Sequence, residues 1–210
     1  MKKFRFLKNN LKLNADWFSQ NIPTWLRAID QTDLREKNSI NYLEIGSWQG
    51  LSAFFILNEL PNSQVVCVDT WAGGDEHIVG MKAESDVKLT VEEIFDNNLI
   101  GFKHRIDKFK GTSLSFFAQK FLHDIYDIIY VDGSHHSDDV IVDAVKCFEM
   151  LREGGLLIFD DYFWKYYEQD IDNPAGAINA FLRLKHKQLE ILCFDYQIIV
   201  RKKASSSRWR

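Results

Sequence analysis

The sequence predicts an α/β fold, a doubly wound and mostly parallel seven-stranded sheet that closes on an antiparallel last strand. Three observations predict it. Short apolar runs alternate with helix-period segments along nearly the whole chain. No repeat or low-complexity linker interrupts that alternation, and only 3 prolines occur in 210 residues. The last two apolar runs, residues 189–194 and 197–200, stand a tight turn apart, which permits an antiparallel pair.

The elements follow in order. Residues 40–45 read as a strand closed by Gly46, and residues 51–60 as a helix stopped by Pro61. Residues 65–68 form a short apolar strand ending in Asp69, and residues 91–99 a helix. A strand around residues 104–107 leads into Gly111, a helix spans residues 114–122, and residues 126–131 form a fourth strand ending in Asp132. In the next helix Ser137 is placed to cap, and Asp138 and Asp139 occupy the first turn, where the helix dipole favours negative charge. Val140, Ala144, Phe148 and Leu151 share one face, and Gly154-Gly155 is read as the stop. Residues 156–159 are continuously apolar, as buried parallel strands are, and a helix over residues 175–185 precedes the closing pair.

The bulk numbers exclude several classes. At 24.6 kDa the chain fits one α/β domain and buries a full core. A net charge of −4 gives no general pull toward nucleic acid, although the sequence is basic at both ends. No run approaches the roughly 20 apolar residues that span a bilayer, and the first residues lack the apolar stretch of a signal peptide. Cys67, Cys147 and Cys193 are scattered inside apolar runs and read as buried thiols rather than a disulfide frame. The expected location is cytoplasmic, with no membrane and no nucleic-acid partner.

Ligands of open parallel sheets sit beyond the carboxyl ends of the strands. Glu44, Asp69, Asp132, Asp160 and Asp161 all fall at such ends, so one rim carries a ring of carboxylates. Crowding like charges is costly unless cations or hydrogen-bond donors meet them, and the rim therefore predicts a cationic or hydroxyl-rich ligand. In the turn Glu44-Ile45-Gly46-Ser47-Trp48-Gln49-Gly50, Gly46 and Gly50 permit tight turning and close approach. The pyrophosphate fingerprint of dinucleotide-binding folds is broken, because Trp48 stands at the middle glycine, and a carboxylate ahead of the turn repels phosphate. Asp69, 25 residues after Glu44, is placed to accept ribose hydroxyls. A purely structural glycine turn is the alternative.

These residues carry a resemblance. The Glu-Ile-Gly turn, Val68-Asp69, Gly111-Thr112-Ser113 and the Gly154-Gly155…Asp160-Asp161-Tyr162 run resemble the Rossmann-like class I S-adenosylmethionine-dependent methyltransferases. The branch that they are most similar to is methyltransferase family 24, with macrocin-type and other sugar O-methyltransferases, over about residues 40–200. The resemblance implies S-adenosylmethionine as cofactor. It implies that Glu44, Gly46, Ser47 and Gly50 line its methionine part, that Asp69 holds the ribose, that Ser113 lies by the adenine and that Asp132 also touches cofactor. The acceptor it implies is a hydroxyl on a sugar or small natural product.

Asp132, Asp160 and Asp161 on adjacent strand ends suit a hard divalent cation such as Mg²⁺, which takes oxygen ligands. The metal site of catechol-type and sugar O-methyltransferases is similar, with an acid after the fourth strand and an acidic pair after the fifth. The alternative is that Asp132 only contacts cofactor while Asp160 and Asp161 cap the next element. His135 and His136 add an imidazole that titrates near neutrality, with His135 the chosen general base and Asp132 beside it at the catalytic centre. Some relatives carry an aspartate where Ser134 stands, a base that serine does not replace. The aromatic run Tyr162, Phe163, Trp164, Tyr166 and Tyr167 is placed either to wall an acceptor pocket or to fill core. Trp17, Trp25, Trp48 and Trp71 read as lid or packing residues, and residues 71–88 as a mobile loop over the site. The domain reading is an N-terminal helical or lid segment over residues 1–36, a catalytic domain over 37–203 and a disordered tail over 204–210. A homo-oligomer is left open. An NAD-dependent oxidoreductase and a non-catalytic cofactor-binding module of the same fold stand as rival readings.

Overall fold

The computed structural model describes residue 8, residues 10–73 and residues 89–204. A short helix α1 (Ile22–Ile29) precedes an alternating series: β1 (Ile40–Ile45), α2 (Leu51–Glu59), β2 (Ser63–Asp69), α3 (Val91–Asn98), β3 (Ile106–Lys110), α4 (Ser113–Lys120), β4 (Tyr126–Val131), α5 (Ser137–Met150), β5 (Leu151–Phe159), α6 (Pro174–Lys185), β6 (Leu189–Phe194) and β7 (Ile198–Lys202). The seven strands form one sheet in the order β3-β2-β1-β4-β5-β7-β6. The first five run parallel, and β7 joins β5 and β6 antiparallel. The fold expected from sequence is the fold observed.

Alternation along each strand divides the core in two. Tyr42, Cys67, Ile128, Tyr130, Leu156 and Ile158 face a layer built by α1, α2 and α3, with Trp25, Phe55 and Phe95 at its centre. Their neighbours Leu43, Val68, Ile129, Val131, Leu157 and Phe159 face α4, α5 and α6, where Phe116, Phe148 and Phe181 pack. Both faces are thus covered, which explains why the central strands read as unbroken apolar runs.

Several local expectations are corrected. Residues 100–105 form a 3-10 helix, so β3 begins at Ile106 rather than near residue 104. Helix α5 is capped by His136 without a side-chain bond, and Ser137 is its first helical residue. That helix ends at Met150, and Gly154-Gly155 lies inside β5 instead of stopping a helix. Gly155 sits where a Cβ would press on backbone oxygens of Arg152 and Asp127, so a close approach within the sheet explains that glycine better than a helix cap does. Thr112 caps α4 by accepting from the Ser115 N–H, which starts that helix one residue early. Cys67 and Cys147 are buried, but Cys193 is only half-buried. Trp25, read as lid or packing, is core at 1% exposure. Residues 74–88 of the expected mobile loop, and residues 205–210 of the expected tail, lie outside the described residues. No described helix is long and apolar enough to cross a membrane.

The strand order reverses between β1 and β4, and the turns after these two strands pack against each other there. Gly46 has φ +85°, and a Cβ on it would stand 1.9 Å from the carbonyl oxygen of Asp132. Neither backbone can yield without breaking the ladder bonds that continue it, Gly46 N–H to Val68 O at 2.8 Å and Asp132 N–H to Ile45 O at 2.8 Å. Gly46→Ala is expected to cost about 3 kcal/mol, lowering the melting temperature by about 10 °C. A variant melting with the parent in a calorimetric scan would contradict this packing.

Candidate functional site

The backbone of the rim is laced before any side chain is considered. Past each strand end the chain donates one more N–H to its neighbour: Gly46 to Val68, Gly111 to Asp69, Asp132 to Ile45 and Asp160 to Val131, all at 2.8–3.0 Å. The turns so held enclose a cavity of about 710 Å³ at the strand carboxyl ends. Gly46, Ser47, Asp69, Ser113, Asp132, His135, Asp160 and Asp161 of the expected site all line it. Glu44 and Gly50 do not.

Glu44 lies beneath the glycine turn, wholly buried, and accepts hydrogen bonds from the Tyr42 hydroxyl at 2.6 Å and the Ser52 hydroxyl at 2.8 Å. Burial, opposed by those donors, pushes its carboxyl up to about 8. Ser52 lines the cavity, so Glu44 reaches it through a hydroxyl. Gly50 has φ +81° as the N-cap of α2, where a Cβ would press on Leu99 and Phe95.

Asp69 organises the loops. Its Oδ2 accepts the N–H groups of Ser47 and Trp48, each at 2.7 Å, and its Oδ1 accepts that of Trp71 at 2.7 Å. Trp48 and Trp71 have φ +44° and +52°, a region that bulky residues rarely occupy. The indole of Trp71 donates to the Trp48 carbonyl at 2.9 Å, tying the two strained residues together. Strain concentrated at a rim and held by one carboxylate is typical of a ligand site.

At the far side, the Tyr130 hydroxyl reaches Oδ2 of Asp132 at 2.9 Å and Oδ2 of Asp160. A phenol donates one proton, so it cannot satisfy both carboxylates at once. Burial first, and then the neighbouring carboxylates Asp160 and Asp161, hold Asp132 well above the usual range. Burial first, and then Asp161, push Asp160 up to about 6. Asp160 also takes the Gln197 side-chain amide at 2.7 Å and the Asp161 N–H at 2.8 Å. The orientation of Gln197 is fixed chemically: its oxygen accepts the Trp25 indole N–H at 2.7 Å, and indole can only donate. A buried chain of contacts therefore runs from helix α1 through Gln197 to the rim.

Asp161 has φ +58° and accepts from the Tyr196 hydroxyl at 2.8 Å. Its other oxygen stands 3.6 Å from Nδ1 of His135, and the His135 ring lies 4.5 Å from that of Trp164. His136 stacks on Tyr167 at 4.1 Å. Of the aromatic run, Trp164 and Tyr167 line the cavity, Phe163 and Tyr166 are exposed, and Tyr162 packs at the edge of the core. Trp17 and Trp48, 5.6 Å apart, line it from the N-terminal side.

The donor set suits a divalent cation chemically: three hard oxygen donors from two adjacent strand ends, two of them with raised proton affinity where no cation is bound. Asp132 and Asp160 share the Tyr130 hydroxyl, and among the described residues no group of three or more His, Cys, Asp or Glu converges as a metal cluster.

Reading the sequence missed Tyr130, Gln197, Tyr196 and Gln49. Gln49 is 1% exposed, its amide oxygen accepts the Asn14 N–H at 2.8 Å, and its Nε2 has no acceptor among the described residues. Asp143 of α5 was missed as well; burial pushes it up to about 7 against the pull of the Ser113 hydroxyl. A signal existed for Tyr130. In both Tyr42-x-Glu44 and Tyr130-x-Asp132 the two-residue period of a strand puts phenol and carboxylate on one face.

A family model described as a methyltransferase domain, that of methyltransferase family 24, matches residues 43–162, more than half of the chain. The chain belongs to methyltransferase family 24. The family match runs from β1 to Tyr162 and so takes in the glycine turn, Asp69, Asp132 and the Asp160-Asp161 pair. Among curated proteins, the uncharacterized protein R132 of Acanthamoeba polyphaga mimivirus is 25% identical over 129 residues, 60% of this chain and 53% of its own length. The chain thus spans about half the length of that relative. Solved structures are similar in fold. They include an O-methyltransferase from Bacillus cereus in complex with SAH, with TM-score 0.61 and 15% identity over 96% of this chain and 91% of that one. TomG of Streptomyces achromogenes, in complex with SAM, has TM-score 0.61 and 13% identity over 97% and 89% of the two chains. MycE of mycinamycin biosynthesis, in complex with Mg, SAH and mycinamycin VI, has TM-score 0.62 and 17% identity over 95% of this chain and 53% of that one.

The buried Glu44 carboxyl yields a test. It keeps its proton in the fold up to about pH 8, whereas the ordinary value is 4.5. Between those values the folded chain binds the proton more tightly, so stability falls as pH rises through that window. Glu44→Gln, uncharged throughout, is expected to flatten the fall in melting temperature between about pH 5.5 and 8.5 by a few degrees. Parallel curves for parent and variant would contradict the buried, protonated assignment.

Proposed function

We propose that the chain transfers a methyl group from S-adenosylmethionine to a hydroxyl oxygen of a sugar or small natural product, assisted by a divalent cation such as Mg²⁺. The single observation that carries this reading is the meeting, in one cavity, of the glycine turn, Asp69 and the Asp132-Asp160-Asp161 rim with His135 beside it. MycE, similar in fold, was crystallised with Mg, SAH and a natural product, which supports the same division of the cavity here.

The turn of Gly46 and Ser47, backed by Gly50, would take the methionine part of the cofactor, with the Nε2 of Gln49, which has no acceptor among the described residues, a donor for its carboxylate. Both lone pairs of Asp69 Oδ2 are engaged, so Oδ1 keeps one for a ribose hydroxyl. Ser113 would stand by the adenine, Glu44 acting behind Ser52. Asp132, Asp160 and Asp161 would hold the cation. When bound, the donor supplies an electrophilic methyl group and the cation lowers the proton affinity of a hydroxyl oxygen. The chain itself holds the acceptor in line, which is worth roughly 7–11 kcal/mol of barrier when geometry is near attack. His135 would take the hydroxyl proton, with the Asp161 carboxylate orienting its ring and stabilising the imidazolium. Residues 37–203 form the proposed catalytic domain, walled by the N-terminal segment.

Calorimetry with S-adenosylmethionine and with NAD, each with and without Mg²⁺, tests the reading. Binding of S-adenosylmethionine alone is expected; preference for NAD would favour the oxidoreductase, and binding without turnover on any acceptor would favour a non-catalytic module. Asp160→Ala is expected to lower turnover by about a thousandfold while leaving cofactor affinity largely intact. Equal activity in chelator and in added Mg²⁺ would rule out the cation.

A further inference from the structure

The walls of the cavity have a charge sign. Besides Asp132, Asp160 and Asp161, the carboxylates of Asp69 and Asp139 line it, and no Lys or Arg lines it among the described residues. The N-termini of α2, α4 and α5 line the cavity and bring partial positive charge to it, but that of α5 is met by Asp138 and Asp139 in its first turn. Against these five carboxylates, a divalent cation and a donor of net single positive charge still leave two negative charges in excess. A low-dielectric cleft focuses that excess on whatever shares it. Aromatic side chains form part of the remaining wall. Trp164 and Tyr167 follow β5, and Trp17 and Trp48 stand on the N-terminal side.

We infer that the acceptor is uncharged or cationic, offers a flat ring face to these aromatic walls, and that the cavity discriminates against carboxylated and phosphorylated acceptors. The inference rests on the methyltransferase reading above and deepens it. Four of the charges that would exclude an anion are those that would hold the cation and the cofactor, and Asp139 adds a fifth. Trp164 already stacks on Tyr166 at 5.4 Å and 26°, and a flat acceptor ring would pack against the part of it that lines the cavity.

Three matched probes test it: dopamine, catechol and 3,4-dihydroxybenzoate, respectively cationic, neutral and anionic. Each is titrated by calorimetry into the full chain with SAH and Mg²⁺ present. Dopamine and catechol are expected to bind at least about tenfold more tightly than the benzoate, a gap that narrows as salt is raised. Asp139→Asn is expected to narrow it by about threefold. Trp164→Ala, its folding checked by its melting curve, is expected to weaken dopamine and catechol by about fivefold. Equal or tighter binding of the benzoate, no binding of any probe by a chain that binds SAH, or an unchanged Trp164→Ala overturns the inference. Failure of SAH itself to bind overturns the underlying methyltransferase reading instead.

Discussion

The carboxylate of Asp69 accepts three backbone N–H groups, from Ser47, Trp48 and Trp71, and through them one side chain at the end of β2 shapes the loops after both β1 and β2. Two tryptophans are held in a left-handed conformation by those bonds and by the indole that joins them. Without a fixed anion at that point the glycine turn would lose its partner and the strained tryptophans their restraint. Gly46 completes the constraint from the other side, because only a residue without a side chain lets the turn after β1 lie against the backbone of Asp132. The ligand-facing end of the sheet is thus preorganised around contacts internal to the chain.

The same rim carries an electrostatic load, and it is met in layers. Glu44 is neutral and sealed under Tyr42 and Ser52. Asp69 accepts three backbone amides. Asp132 and Asp160 share a phenol that cannot serve both, and their proton affinities are raised accordingly. Asp160 has a second buried support, the Gln197 amide, which Trp25 of α1 locks in place. The N-terminal helix is in this way connected to the chemistry, although it lies outside the residues that the family model matches.

Much of this was legible in the sequence. The alternation of apolar runs and helices specified the sheet, and the acidic residues closing those runs marked the rim, because side chains at strand ends in a parallel sheet have only one edge to share. What escaped was set by contacts remote in sequence. Gln197 meets Asp160 and Trp25 across 37 and 172 residues, and no local pattern announces such a pairing. Gly154-Gly155 resembled a helix stop because a glycine pair has the same composition whether it ends a helix or lets strands approach closely. Ser137 resembled a cap because hydroxyls at helix starts usually are, yet here the chain turns one residue earlier, at His136. Glu44 was read as a ligand contact from its place before the turn, and the structure puts it one layer deeper, behind Ser52.

A crystal of the chain grown with SAH tests the central claim most directly. The ligand is expected against the turn of Gly46 and Ser47 between β1 and α2, with its ribose at Asp69 and its sulfur toward Asp132. Density for the ligand at any other place on the sheet, or none at saturating concentration, would contradict it.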